Sequence, residues 1–476
     1  MKAKSVIEQF LKISNLYPNN AALVVDDKIY TYSNLKNEAL LIYSNIFNLV
    51  KSERILAISI NRSCLQISAI LACLLMNKSY IIFDEKIHKS RKKLILRKLN
   101  IKTILQDINL NEKFNVKNIN LKTVIQKKEV QKQKKKIFNK LNIAYYVFTS
   151  GSTGEPKGVQ ISNYNLISFV INCKKIFNIK PSDKFILLPN LSFDLSVFPL
   201  WVSLCSGSTL YYATGSDIIY PINFIKKNKI TIYCSVPSQI NIIHNLFKHH
   251  NLSLNTVKKS IFCGEPLRYS QVLVWKKYFK NTQIFNTYGP SETTCFNTFY
   301  KLKNNRRSNL NDIVPIGRPL PNNKIILKNG QIQISGPQVS SGYIEKKFNK
   351  NVFIKKKNVY FYNTGDYAKK IRNNLHFLGR KDQQIKISGY RIELGDIEKT
   401  ISNILKKNIR VVVFYYKENI YVALETNNKI KKSLILKIKE NLPNYADPKK
   451  YFYFKKFPLN KNMKIDTNAI KDIVKI

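Results

Sequence analysis

The stretch YVFTSGSTGEPKGV, Tyr146 to Val159, joins an apolar run to a loop carrying Gly151, Gly154 and Gly158, the hydroxyls of Thr149, Ser150, Ser152 and Thr153, and the cation Lys157. Glycines allow backbone N–H groups to turn inward around phosphate oxygens, and hydroxyls with a cation complete such a cradle. The chemistry it suits is the gripping of phosphates. The spacing departs from GxxxxGK[ST], so this is not the usual P-loop, and taken alone such a loop reads equally well as a flexible turn.

Four further segments hold residues suited to nucleotide chemistry. NTYGPSETT puts Asn286, Thr287, Tyr288, Gly289, Pro290, Ser291 and Glu292 in one short loop after a strand, an aromatic for stacking on a base beside one carboxylate for a metal. YNTGD ends a strand at Asp366, and a carboxylate accepts both hydrogen bonds of vicinal ribose hydroxyls. Arg380 follows in GRKDQQIKISGYRIELGDIE, and Lys464 lies in LNKNMKID. In LSFDLSVFPLW, Asp194 is a carboxylate within an apolar segment, and a buried charge is costly unless paired. A substrate ammonium would pair it; the plainer reading is an aspartate capping the helix that follows.

Composition limits what these segments belong to. The chain has 476 residues, is 44% hydrophobic and 12% aromatic, and carries 80 Lys plus Arg against 29 Asp plus Glu, a formal charge of +51. Such a chain builds two or three globular domains and is neither fibrous nor disordered. The charge invites a nucleic-acid reading, but Lys is spread along the whole chain and no aromatic-plus-basic recognition module stands out, so no nucleic acid partner is expected. The longest apolar stretch, Ile67 to Met76, is about half of what a bilayer needs, and Glu8 and Gln9 interrupt any secretory signal. A cytoplasmic protein without stable membrane insertion is expected. Cys64, Cys73, Cys173, Cys205, Cys234, Cys263 and Cys295 form no CxxC pair, which argues against both a disulfide framework and a zinc site.

The elements that must position these residues read as α/β. Helical segments (6 to 14, 33 to 50, 63 to 76) alternate with short apolar strands (55 to 60, 80 to 83, 103 to 105), as a helix-covered parallel sheet requires. The pattern continues to about residue 300 with strands at 143–148, 184–188, 231–234, 260–263 and 283–286. After Pro315 it changes: Lys324 to Leu327, Asn329-Gly330 and Gln331 to Ile334 read as a β-hairpin, because the dipeptide tolerates positive φ at both turn positions. A compact unit with strands at 384–387 and 411–416 and a helix at 394–404 follows a boundary near Asp382.

In this order and at these separations, the five motifs resemble the adenylate-forming superfamily of acyl-CoA synthetases, luciferases and peptide-synthetase adenylation domains, over essentially the whole chain. The resemblance implies an α/β and α+β multidomain fold: a large domain, 1–381, of helix-covered sheets plus a small β-barrel, and a small mobile α+β domain, 382–476, hinged at Asp382. It implies two steps, attack of a substrate carboxylate on the α-phosphate of ATP with release of pyrophosphate, then displacement of AMP by a thiol. Carried over by position, Thr149, Ser150, Gly151, Ser152, Thr153, Gly154 and Lys157 would hold the pyrophosphate; Asn286 to Ser291 the adenine and α-phosphate; Glu292 the Mg²⁺; Asp366 and Arg380 the ribose. Lys464 would be catalytic, neutralising charge between carboxylate and α-phosphate as an electrostatic stabiliser. Gly389 would face the thiol entry.

Within that superfamily Asp194 separates amino-acid activators from the rest, and SFDLSV, FCGEPL and FNTYGPSE resemble the bacterial D-alanine:carrier-protein ligases. Cys263 and Cys295 would then flank the substrate side chain, with Phe198 beside them. Phe198, Pro199, Ser291 and Cys295 depart from that pattern, so another small amino acid, used in peptide or polyketide synthesis, is an alternative to D-alanine; an acyl-CoA synthetase is a weaker one. The chain ends twelve residues after Lys464 without a serine-bearing carrier motif, so the acceptor is expected to be a separate phosphopantetheinyl carrier protein, and the enzyme a monomer.

Overall fold

The computed structural model describes residues 3–474 apart from 85–86, 109–113, 127–137, 150–155, 250–252, 304–311, 357–358, 381–383, 388–389, 406–408, 417–418, 443 and 460–464. Its contacts divide the chain into two compact units. One comprises Met1–Glu85, Leu96–Val147 and Gly158–Lys381; the other comprises Lys86–Ile95, Phe148–Lys157 and Asp382–Ile476.

The larger unit is built on two helix-covered sheets. The first has nine strands in the order Arg318–Pro319, Thr298–Lys301, Gln283–Tyr288, Lys259–Phe262, Ile232–Ser235, Lys184–Leu187, Thr209–Tyr212, Ala21–Val25 and Lys28–Thr31. From Gln283–Tyr288 to Ala21–Val25 every neighbouring pair is parallel. The six-stranded second sheet runs Lys117–Asn120, Thr103–Gln106, Ile55–Ser59, Ser79–Ile82, Ile143–Thr149, Lys157–Ser162. Central parallel strands are covered on both faces, which is why they read as apolar runs without alternation. Helix Cys64–Leu75 is buried at every position, and Ser63 caps it by accepting from the Gln66 N–H. Helix Asn163–Ile176 starts with a capping box between Ser162 and Asn165.

An antiparallel sheet of five strands closes this unit: Lys324–Lys328, Gln331–Ser335, Val359–Ile371 and Phe353–Lys356 in order, with Asn374–Arg380 also on Val359–Ile371. The expected hairpin is present, with φ of 50° at Asn329 and 79° at Gly330. Among the described residues it is an open sheet, with no strand pairing that joins its two outer strands into a barrel. The hairpin of Ala21–Val25 and Lys28–Thr31 was not expected; its turn uses Asp26 and Asp27 at φ of 49° and 61° in place of the usual glycine.

In the smaller unit, Arg410–Tyr416, Asn419–Glu425 and Lys450–Phe454 form a three-stranded sheet, and Gln384–Ile387 pairs with Tyr390–Glu393. Helix Leu394–Ile404 buries Leu394, Ile397 and Ile401, one stripe at i, i+3 and i+7, in a core shared with Val413, Val422 and Leu424. On the other face of the sheet, Val412, Phe414 and Ala423 pack with Phe457 and Ile470. Among the described residues no helix is long and apolar enough to cross a membrane.

Candidate active site

The carboxyl ends of parallel strands in the nine-stranded sheet bring sequence-distant residues together. Lys184–Leu187 leads to Asp194, Lys259–Phe262 to Cys263, and Gln283–Tyr288 to Ser291 and Glu292. In open α/β sheets, ligands bind in the crevice beyond those ends, so this edge is where a site belongs. The register is tight: Phe262 pairs with Asn286, and the Cys263 N–H donates to the Ser235 carbonyl at 3.1 Å.

Asp194 is half-buried, not buried as its apolar neighbours suggest, and opens a short 3₁₀ turn, Asp194–Ser196, without capping it. Its Oδ2 accepts a hydrogen bond from the Ser291 hydroxyl, across 97 positions of sequence. The segment of Asp194 and the loop of Ser291 are therefore physically joined. Beside Asp194 lies a cleft bounded by Ile70, Tyr80, Tyr145, Leu191 and Val197. Cys263 and Cys295 are buried free thiols in the core cluster that also holds Phe198. Phe198 has no exposed surface and packs against Phe177 at 5.4 Å, Phe296 at 5.7 Å and Phe185 at 5.8 Å. Burial, then the nearby Cys263 and Asp194, push the Cys295 thiol well up, so it stays a neutral small hydrophobe.

The loop of Gly289 to Cys295 is held from several directions. At Gly289 an added Cβ would stand 2.4 Å from Phe296 Cα, so no larger residue fits there. Thr294 and Cys295 are consecutive left-handed residues, φ 60° and 70°, a conformation that costs non-glycine residues energy and concentrates at functional sites. Glu292 is fully buried, and its Oε1 accepts from the Tyr343 hydroxyl at 2.5 Å. Tyr343 is placed by the segment that Asn165 secures through its Nδ2, which donates to the carbonyls of Pro337 and Val339 at 2.8 and 2.9 Å. The motifs alone gave no sign of Tyr343, because it follows a stretch without any recognisable pattern.

Asn286 is buried, with Nδ2 donating to the carbonyls of Val314 and Pro315 at 3.0 Å each and Oδ1 without a partner among the described residues. Thr287 Oγ1 donates to the Phe262 carbonyl at 2.9 Å. Asp366 divides its two oxygens: Oδ2 accepts from the Tyr288 hydroxyl at 2.6 Å, and Oδ1 meets Arg380 Nη1 at 2.7 Å, across a register pair of neighbouring strands. Burial first, and Asp366 second, raise the Tyr288 phenol well above its ordinary range, so it remains a donor. Arg380 Nη1 also reaches the Thr364 carbonyl at 2.9 Å.

Thr149 ends its strand as a buried residue and its Oγ1 has no partner among the described residues; Lys157 is half-buried at the start of the next strand. Ser150, Gly151, Ser152, Thr153, Gly154, Asp382, Gly389 and Lys464 lie outside the described residues. Their flanks are defined: Leu459 and Ile465 form an antiparallel bridge, and Asp466 Oδ1 accepts from the Ala469 N–H at 3.0 Å, starting helix Thr467–Ile473. No group of three or more His, Cys, Asp and Glu among the described residues forms a metal cluster.

The sequence profile of AMP-binding enzymes matches residues 10–344. A D-alanine–D-alanyl carrier protein ligase of Bacillus licheniformis is 33% identical over 70% of this chain and 71% of its own. Bacitracin synthase 1 of the same genus and species is 28% identical over 99% of this chain, which spans 9% of that much longer protein. Among solved structures, the Vibrio cholerae adenylation domain AlmE, in complex with glycyl-adenosine-5'-phosphate, superposes with a TM-score of 0.84 at 23% identity over 100% of this chain and 98% of that one. An artificially fused adenylation–PCP di-domain from Klebsiella oxytoca gives 0.83 at 20% over 95% and 94%, so both share the fold. Profile, relatives and fold agree, and the chain belongs to the AMP-binding enzyme family as an adenylate-forming enzyme.

Proposed function

We propose that this enzyme activates a small amino acid, D-alanine foremost, as its aminoacyl-adenylate and passes it to the phosphopantetheine thiol of a separate carrier protein. The observation that carries the reading is Asp194: a carboxylate at the strand ends, on the cleft, joined by the Ser291 hydroxyl to the loop expected to hold the nucleotide. An ammonium on the substrate would pair with it, while a fatty or aryl acid would leave it without a purpose there. The 33% identity to a D-alanine–D-alanyl carrier protein ligase supports the amino acid named.

In this reading Thr149, Lys157 and residues 150–154 hold the pyrophosphate, Asn286 to Ser291 the adenine and α-phosphate, and Asp366 with Arg380 the ribose. The pairing of Asp366 with Arg380 and Tyr288 fixes that carboxylate before any ligand arrives, which lowers the ordering cost on binding. Glu292 is a buried hard oxygen donor held by Tyr343, and it would be the residue that holds Mg²⁺, a cation that prefers such ligands. Bound Mg²⁺ would neutralise phosphate charge. Lys464 stabilises the first transition state, and residues 382–476 move about Asp382 between the two half-reactions.

A second reading, a different small amino acid for peptide synthesis, is favoured by the match to bacitracin synthase 1 over 99% of the chain. Amino-acid-dependent ATP–pyrophosphate exchange over a panel with both alanine enantiomers, glycine, serine and a fatty acid separates them. D-alanine should give the highest kcat/KM; preference for another small amino acid selects the second reading, and preference for the fatty acid ends both. Lys464→Ala should lower exchange several-hundredfold, about 3 to 4 kcal/mol, and spare thioester formation from supplied adenylate. Equal loss in both half-reactions would remove Lys464 from that role.

A further inference from the structure

The cleft beside Asp194 contains a polar group that the assignment above leaves unused. Strands Ser79–Ile82 and Ile143–Thr149 run in parallel, and Tyr80 and Tyr145 sit opposite each other in register, their rings stacked at 5.8 Å and 27°. Tyr145 is only 5% exposed, and its hydroxyl is buried with no hydrogen-bond partner among the described residues. A buried hydroxyl without a partner is unfavourable, and nearly all such groups in folded proteins find one. The other cleft walls offer the apolar Ile70, Ile82, Val197 and Leu200, the hydroxyls of Tyr80, Tyr146, Ser192 and Ser196, and a single carboxylate, Asp194, and none of these groups bonds the Tyr145 hydroxyl.

A group that enters the cleft would supply that partner. Asp194 and Cys295 lie within electrostatic reach of the phenol and, after burial, keep it in its neutral form. No described donor reaches its oxygen, so its lone pairs are open to a third group. A primary ammonium brings three N–H donors. Asp194 has two oxygens, so even with both engaged one N–H is left for another acceptor.

We propose that the Tyr145 hydroxyl is a second acceptor for the substrate ammonium, with Asp194 supplying the charge and Tyr145 a directed lone pair. The inference rests on the reading of Asp194 as the ammonium's partner. Tyr145 then selects for a free amino group on the activated acid, a task separate from the fit of the side chain against Cys263.

Tyr145→Phe deletes the hydroxyl and nothing else, and removing an unbonded group should leave the melting temperature unchanged or raised. The measurement is ATP–pyrophosphate exchange with the amino acid that the wild-type enzyme prefers and with its des-amino analogue, the carboxylic acid of the same carbon chain. The expected result is a KM for the amino acid raised roughly five- to tenfold. The KM for ATP and the response to the des-amino acid should not move. An unchanged KM for the amino acid, or an equal rise for both acids, overturns the proposal, the second by showing that the hydroxyl meets the carboxylate or side chain. A wild-type enzyme indifferent to the amino group would instead overturn the reading of Asp194, and the proposal with it.

Discussion

A serine hydroxyl has one proton to donate, and in Ser291 that proton goes to Asp194. In the proposed function an ammonium arriving at Asp194 would take over the carboxylate and free the hydroxyl for a phosphate oxygen, so the two substrates should bind cooperatively. A coupling of ~1 kcal/mol, about fivefold, is the size expected of one exchanged hydrogen bond. Titration calorimetry with a non-hydrolysable ATP analogue, with and without amino acid, should show it in wild type and a ratio near one in Ser291→Ala; equal ratios would uncouple Ser291 from this exchange. Asp194→Ala removes the charge itself and should raise the KM for the amino acid about 30- to 150-fold, ~2 to 3 kcal/mol, with the KM for ATP changed less than about twofold. A parallel rise in both constants would make Asp194 structural. The thiols give a check on burial: all seven are buried and free, Cys73 and Cys205 pushed up to about 12 by desolvation, so Ellman's reagent should titrate them only after unfolding. Asp194, Ser291, Glu292, Asp366 and Arg380 were all legible as residue types in short motifs. Their partners were less so: Tyr343 reaches Glu292 across 51 positions, and an unbonded hydroxyl such as that of Tyr145 leaves no trace in sequence.

Strands and turns were legible where local rules decide them. Asn329-Gly330 announces its hairpin because both positions need positive φ, whereas Asp26-Asp27 makes a similar turn without glycine and passes unnoticed. The order of strands was not legible, since nothing local says that Lys259–Phe262 lies between Gln283–Tyr288 and Ile232–Ser235. That order is what gathers Asp194, Cys263 and Ser291. Two strands of the same sheet also depend on one close approach: Gly317 sits at φ +81°, and a Cβ there would be 2.0 Å from the Phe299 carbonyl oxygen. Phe299 and Arg318 pair next to it, and the Gly317 backbone exchanges hydrogen bonds with Leu375 of the antiparallel sheet. Gly317→Ala should therefore lower the unfolding free energy by about 2 to 4 kcal/mol, combining left-handed strain with a backbone clash. Urea denaturation measures it; a change below about 0.5 kcal/mol would show that the strand shifts without cost.

For the molecule as a whole, a net charge of +51 is a statement about encounters and not about the fold. Exposed lysines repel one another at low salt and draw in anionic partners from beyond contact distance. Carrier proteins that bring a phosphopantetheine arm carry a phosphodiester at its root, and an acidic carrier surface would add to that attraction. Loading of such a carrier is bimolecular, so its rate constant at subsaturating carrier should fall as the Debye length shrinks from about 30 Å at 0.01 M salt to roughly 8 Å at 0.15 M. A fall of at least about tenfold is the expected size for steered association. Pyrophosphate exchange uses small substrates held by a built site, and at saturating ATP and amino acid it should change less than about twofold over the same range. Stopped-flow or quench-flow loading of an acidic and a neutralised carrier, beside exchange at each salt concentration, makes the comparison. If loading and exchange decline in parallel, or if both carriers respond alike, the positive surface does not guide the carrier, and the charge of this chain has no part in its choice of thiol acceptor.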